Sequence, residues 1–135
     1  MQRKETEKMN LINDCKEKII IAAHRGAAGG NIPCNTMPAY EIAVKQGADM
    51  IEIDLNMTAD GQLVIFHPKE ERDHLGFCGS IRDYTLDQIR SVLRYVNYDG
   101  TPTTLGLNTL DEVLERFKGR CYINCDKFWE HPREI

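Results

Sequence analysis

Three short apolar runs stand out along the chain, and each stops on a polar residue. Ile19-Ile20-Ile21-Ala22-Ala23 runs into His24-Arg25-Gly26. Met50-Ile51-Glu52-Ile53-Asp54-Leu55 carries two carboxylates on alternate positions. Leu63-Val64-Ile65-Phe66 ends on His67. Runs this short, rich in β-branched residues, predict strands over 18–23, 50–56 and 63–67. A fourth strand is predicted over 121–126, where Cys121 and Cys125 share one face and Tyr122 and Asn124 the other. Elsewhere the period lengthens. Ala39, Ile42, Ala43 and Gln46 predict a helix over 36–46, capped by Thr36 and ended by Gly47. Leu86, Ile89 and Leu93 predict a helix over 85–92 capped by Thr85. Leu110, Val113, Leu114 and Phe117 predict one that starts from Asn108 or Thr109 and ends before Gly119.

The segments between are polar or glycine-rich. Residues 26–33 read as a loop freed by Gly26, Gly29 and Gly30, and Ala59-Asp60-Gly61 as a tight turn. Residues 68–83 read as a long charged loop and 95–107 as irregular. Residues 1–18 read as a polar, partly helical, solvated extension, with 19–135 as the folded unit. Alternating strands and helices with mostly continuous apolar strands predict a parallel α/β sheet. The 59–61 turn is short enough to leave open a local hairpin between the second and third strands.

Composition adds limits. The chain has 135 residues, 41% hydrophobic and 28% charged, which fits one ordinary domain. Its net charge of -4, with no aromatics interleaved among basic clusters, argues against a nucleic-acid partner. The cysteines Cys15, Cys34, Cys78, Cys121 and Cys125 are odd in number and widely spaced, so they read as reduced thiols of a cytoplasmic protein. Cys121 and Cys125 suggest a zinc pair, but no second pair with zinc spacing follows. No apolar run approaches a membrane span or a signal segment.

The strand ends carry the candidate chemistry. Alternation puts Glu52 and Asp54 on one face and Ile51, Ile53 and Leu55 on the other. Two carboxylates side by side repel each other unless a hard divalent cation, Mg²⁺ or Ca²⁺, takes them, or unless they lie on the solvated face of an edge strand. His24 and His67 either form an acid–base pair or are ordinary rim histidines. Arg25 offers a planar fork for a phosphate oxyanion, or an ion pair to an acid such as Glu52. Asp126 is a candidate third carboxylate ligand and Lys127 a candidate phosphate cation; the alternative is a strand end entering a solvated loop. His74 and His131 receive no role. The set suits metal-assisted acid–base chemistry on a phosphate ester.

Together these residues resemble the glycerophosphodiester phosphodiesterase family, from about Ile20 to Lys127. His24-Arg25-Gly26 is similar to the family's opening motif. Asn35-Thr36 with Pro38-Ala39-Tyr40 and Gly47-Ala48-Asp49 resembles its first helix, and Ile51-Glu52-Ile53-Asp54 its metal motif. Thr58 through His67 resembles its turn and histidine-ended strand, and Thr109–Leu114 its next helix. The resemblance implies a (β/α)₈ barrel that hydrolyses glycerophosphodiesters to an alcohol and glycerol 3-phosphate. It implies His24 and His67 as acid and base, Glu52 and Asp54 as metal ligands, and Arg25 as the phosphate holder. Three positions depart from the family pattern: Cys34 replaces a glutamate, Pro68 an aspartate, and Asp126-Lys127 a glutamate with a lysine two places on.

A complete barrel takes about 250 residues. The expected architecture is therefore a partial barrel, about the first four βα units, with exposed edges. Those edges call for a missing C-terminal half or for self-association. Two rivals keep the fold: a non-catalytic binding module, and a phospholipase-like phosphodiesterase with another substrate.

Overall fold

The computed structural model of the protein describes residues 9–130. Met1 to Lys8, the first eight residues of the expected polar extension, and His131 lie outside the described residues. The remainder of that extension holds helix α1, Leu11–Glu17, which buries none of its side chains. Asn10 caps it, its side chain accepting from the Asn13 amide. Tyr122 donates its hydroxyl to Asp14 at 2.5 Å, which ties α1 to the sheet.

The sheet is built around strand β2, Met50–Met57. Strand β1, Ala22–Ala23, and strand β4, Tyr122–Asp126, run parallel to it and pair with its first residues. Strand β3, Leu63–Ile65, turns back and pairs antiparallel with Leu55–Met57. Of the four expected strands, three are thus mutually parallel, and the third in sequence is the returning arm of a hairpin. Thr58 and Asp60 build its turn: the Thr58 hydroxyl donates to Asp60 at 2.6 Å and accepts from the Gln62 amide.

Two predicted strands are shorter in the structure. Ile19 and Ile21 of the first are 88% and 59% exposed, because the Asp49 carboxylate takes the Ile21 amide and the Lys18 ammonium. The other ends at Ile65 rather than His67, although the Phe66 amide still donates to the Asp54 carbonyl. Residues 68–83, expected as loop, hold helix α3, Glu71–Leu75, and a 3₁₀ turn at Ile81–Asp83. Their anchors are apolar: Leu75 and Ile81 are buried with Phe66, Ile89, Tyr95 and Leu107.

Helix α2, Met37–Lys45, starts after Thr36 as expected, but the Thr36 hydroxyl donates to the Pro33 carbonyl at 2.6 Å rather than accepting from the helix. Helices α4, Leu86–Val92, and α5, Leu110–Phe117, each open on a capping box, Thr85 with Gln88 and Thr109 with Glu112. α2 and α5 cover the apolar face of β2. Ile51, Ile53, Leu55, Tyr40, Ala43, Val113 and Phe117 form one buried cluster, with Cys121 in it. All five cysteines are free thiols. Among the described residues no helix is long and apolar enough to cross a membrane.

Candidate active site

The face of β2 opposite that core carries Glu52, Asp54 and Asn56, all buried. β2 is paired by β1 and β4, so the two carboxylates do not sit on a solvated edge strand. Register brings the third acid to them: Asp126 on β4 pairs with Asp54 on β2. One carboxylate oxygen from each of Glu52, Asp54 and Asp126 lies within 4.8 Å of the others.

The surrounding loops are folded to meet these acids. After β1 the chain takes a left-handed step at Arg25, with φ of 56°. The step turns the Arg25 amide onto Glu52 Oε2 at 2.9 Å. Gly26 follows with φ of 82°, and a Cβ there would lie 2.7 Å from the Ala39 carbonyl carbon. Only glycine lets the loop pass this close to α2. Asn35, also left-handed, donates its amide to Asp54 Oδ2 at 2.8 Å and accepts from the Tyr40 hydroxyl. It was one residue of the Asn-Thr pair in the sequence, without a role of its own. Its short amide side chain at a left-handed position is the physical signal it offered.

The Arg25 side chain is an ion-pair partner, but with acids other than Glu52. Its Nε lies 2.9 Å from Asp54 Oδ2 without forming a hydrogen bond, and its Nη1 donates to Glu70 at 2.9 Å. His24 is 74% exposed at the rim, 4.0 Å from Glu52. His67 comes back to the same level because the Phe66 amide donates to the Asp54 carbonyl. Its Nδ1 faces Glu70 at 3.1 Å and the Pro68 carbonyl at 2.9 Å. Lys127 has φ of 62° and bends back onto its neighbour, its amide and ammonium both reaching Asp126. His24, Arg25, Glu52, Asp54, His67, Asp126 and Lys127 therefore gather on one side of the sheet. Glu70 and His74, unassigned from sequence, join them; His74 lies 2.9 Å from Glu70. Only Glu70 and His74 sit at helical spacing, the one at the N-cap of α3 and the other within it; His67 lies before the helix and meets them through the left-handed turn at Lys69.

Electrostatics favour a cation. Burial raises the Glu52 carboxyl above its ordinary range, and the Asp54 charge adds to the effect. Burial acts upward on Asp126 as well, but the Lys127 amide and ammonium outweigh it and hold that carboxyl low. Asp54 Oδ1 is buried with no hydrogen-bond partner. An orphaned carboxylate oxygen is costly in a protein interior. Three carboxylates, one with a free buried oxygen, are the donor set that a hard divalent cation takes. Cys34, buried at 3.9 Å from His74 Nε2, is held protonated: burial pushes its thiol up despite Arg25 nearby.

Comparison with known proteins identifies a family and a fold. The glycerophosphoryl diester phosphodiesterase family matches residues 24–131. A glycerophosphodiester phosphodiesterase of Bacillus subtilis (strain 168) is 36% identical over 118 residues, covering 82% of this chain and 39% of its own length. A glycerophosphoryl diester phosphodiesterase of Parabacteroides distasonis superposes with a TM-score of 0.72 at 28% identity, covering 80% of this chain and 38% of that one. An Oleispira antarctica phosphodiesterase, solved with its product sn-glycerol-3-phosphate, superposes with a TM-score of 0.66 at 27% identity, covering 82% and 45%. The chain spans about two-fifths of the length of the relatives it matches.

Proposed function

Since this chain belongs to the glycerophosphoryl diester phosphodiesterase family, we propose that it supplies the acid–base and acidic elements of a site that hydrolyses glycerophosphodiesters to an alcohol and glycerol 3-phosphate. The observation that carries this reading is the meeting of Glu52, Asp54 and Asp126, with Asp54 Oδ1 unpartnered, beside Arg25.

Glu52, Asp54 and Asp126 are the residues that would hold a divalent cation, Ca²⁺ or Mg²⁺. Bound there, it supplies charge stabilisation for phosphoryl oxygens. Arg25, whose guanidinium stands beside these acids, is the cation that would hold a phosphate oxygen. Lys127 adds a second positive charge once its ammonium exchanges Asp126 for the substrate. Of the two imidazoles, one accepts the proton of the attacking hydroxyl, from water or from the neighbouring glycerol hydroxyl. The new O–P bond forms as the bond to the alcohol oxygen breaks, and the other imidazole protonates that leaving oxygen; where the nucleophile is the glycerol hydroxyl the first product is a cyclic phosphate, which water then opens to glycerol 3-phosphate with the two imidazoles exchanging roles. Free thiols at all five cysteines support the cytoplasm as the setting.

The test is release of glycerol 3-phosphate from glycerophosphocholine, with Ca²⁺ or Mg²⁺ and then with chelator. Calorimetry of the same chain measures cation binding. Asp54→Asn is expected to weaken cation binding by at least about tenfold. Turnover that survives both chelation and His67→Ala sinks the proposal. Cation binding without turnover favours a binding module on the same fold.

A further inference from the structure

Glu70 is turned away from the helix it precedes. It occupies the N-cap position of α3, yet its side chain makes no capping bond. The carboxylate instead points into the site and is three-quarters buried. Three basic side chains surround it, and one of them, Arg25 through Nη1, donates a hydrogen bond. Oε1 lies 3.1 Å from His67 Nδ1; Oε2 lies 2.9 Å from His74 Nε2 and 2.9 Å from Arg25 Nη1.

We propose that Glu70 is the positioning residue of this site: with one oxygen it orients the His67 imidazole, and with the other it locks Arg25 and His74 in place. The inference rests on the hydrolase reading above for its consequence in catalysis, but its structural content stands apart from it.

The chemistry follows from which atoms can donate. His67 Nδ1 is hydrogen-bonded to the Pro68 carbonyl at 2.9 Å and lies 3.1 Å from the Glu70 carboxylate. Neither can give it a proton, so Nδ1 carries its own. In the neutral ring Nε2 is then the lone-pair nitrogen, which is the state a general base requires. The Glu70 carboxylate, 3.1 Å from Nδ1, places a charged group beside the ring in addition to the carbonyl that orients it. A carbonyl alone provides orientation with a much weaker charge effect. His74 has one clear part: its Nε2 lies 2.9 Å from Oε2 and flanks the carboxylate on the side away from His67. Arg25 has a second tether in Asp54, 2.9 Å from its Nε, so it holds its place when Glu70 is changed. The expected signature is therefore a loss in kcat with little change in KM.

The experiment uses the full chain, with glycerophosphocholine as substrate and isotope-edited NMR of the imidazoles. In the wild type the His67 ring is expected with Nδ1 protonated and its proton shifted downfield by the charged partner. An Nε2-protonated ring overturns the proposal without any variant. Glu70→Gln is expected to lower kcat by about tenfold or more and to move that proton upfield, with KM changed by less than about threefold. Glu70→Asp keeps the charge and is expected to recover part of kcat. On a His67→Ala background Glu70→Gln is expected to have no further effect, because it acts through that ring. Additive losses in the double variant, or an unmoved His67 signal in Glu70→Gln, overturn the proposal. If the wild type turns over no glycerophosphodiester, the hydrolase reading fails while the NMR result still decides the position of Glu70.

Discussion

At the scale of single residues, the site depends on backbone conformations that few side chains tolerate. Arg25 and Gly26 are consecutive left-handed residues, and together they bring an amide onto Glu52. Gly26→Ala forces a Cβ to within 2.7 Å of the α2 backbone at φ of 82°. Neither the helix nor the loop can yield without breaking the Ala27 amide to Ala39 carbonyl bond. The substitution is expected to cost roughly 1–3 kcal/mol, read from urea unfolding, and to weaken cation binding in calorimetry. A variant as stable as the parent would show that the close approach is unimportant. Residues of this kind divide sharply in legibility. His24, Glu52, Asp54 and His67 were readable because each interrupts or ends an apolar run. Glu70 and Asn35 were not, because their roles arise from partners distant in sequence: Glu70 reaches back to Arg25 and Asn35 forward to Asp54.

At the scale of elements, helical caps and periodicity were legible because they are local. Thr85 caps its helix as expected and Thr109, one of the two candidates, caps the other; the structure adds their reciprocal partners Gln88 and Glu112. Helix α3 was hidden because its five residues are mostly charged, and only Leu75 and the buried Glu71 anchor it. The clamp between α2 and the end of α5 was hidden too. Glu41 on α2 accepts from Arg116 at 2.6 Å and from Arg120 at 2.9 Å and 2.8 Å. The Arg120 hydrogen bond leads in holding the Glu41 carboxyl down to about 2, from an ordinary 4.5. A carboxyl depressed in the folded state adds stability above its unfolded value, and that stability fades as pH falls from 4.5 toward 2. Acid unfolding followed by circular dichroism should therefore be less steep over this window in Glu41→Gln than in the parent. Identical acid limbs would mean that solvent screens the clamp to nothing.

At the scale of the whole molecule, the acidic cluster is complete while the sheet is open. Glu52 and Asp54 on β2 and Asp126 on β4 come from adjacent strands, so nothing beyond the described residues is required to bring them together. Closure is another matter. Among the described residues β1 and β4 each pair only with β2, which leaves their outer backbone groups without strand partners. Ile19 and Ile21, which lead into β1, are largely exposed. Open parallel edges beside exposed aliphatic residues are templates for another strand. Strand pattern reveals which segments pair but not how many neighbours complete a barrel, which is why this property stayed out of reach of the sequence except through length. The chain by itself is accordingly expected to associate as its concentration rises, with a sedimentation coefficient that grows with loading. Ile19→Lys combined with Ile21→Lys places like charges along the β1 approach and should shift that association to higher concentration. Neither substitution touches Glu52, Asp54 or Asp126, so cation binding should persist in the variant. A chain that sediments as a monomer throughout, with or without the lysines, would mean that its edges are protected by their shortness: β1 has only two residues to offer.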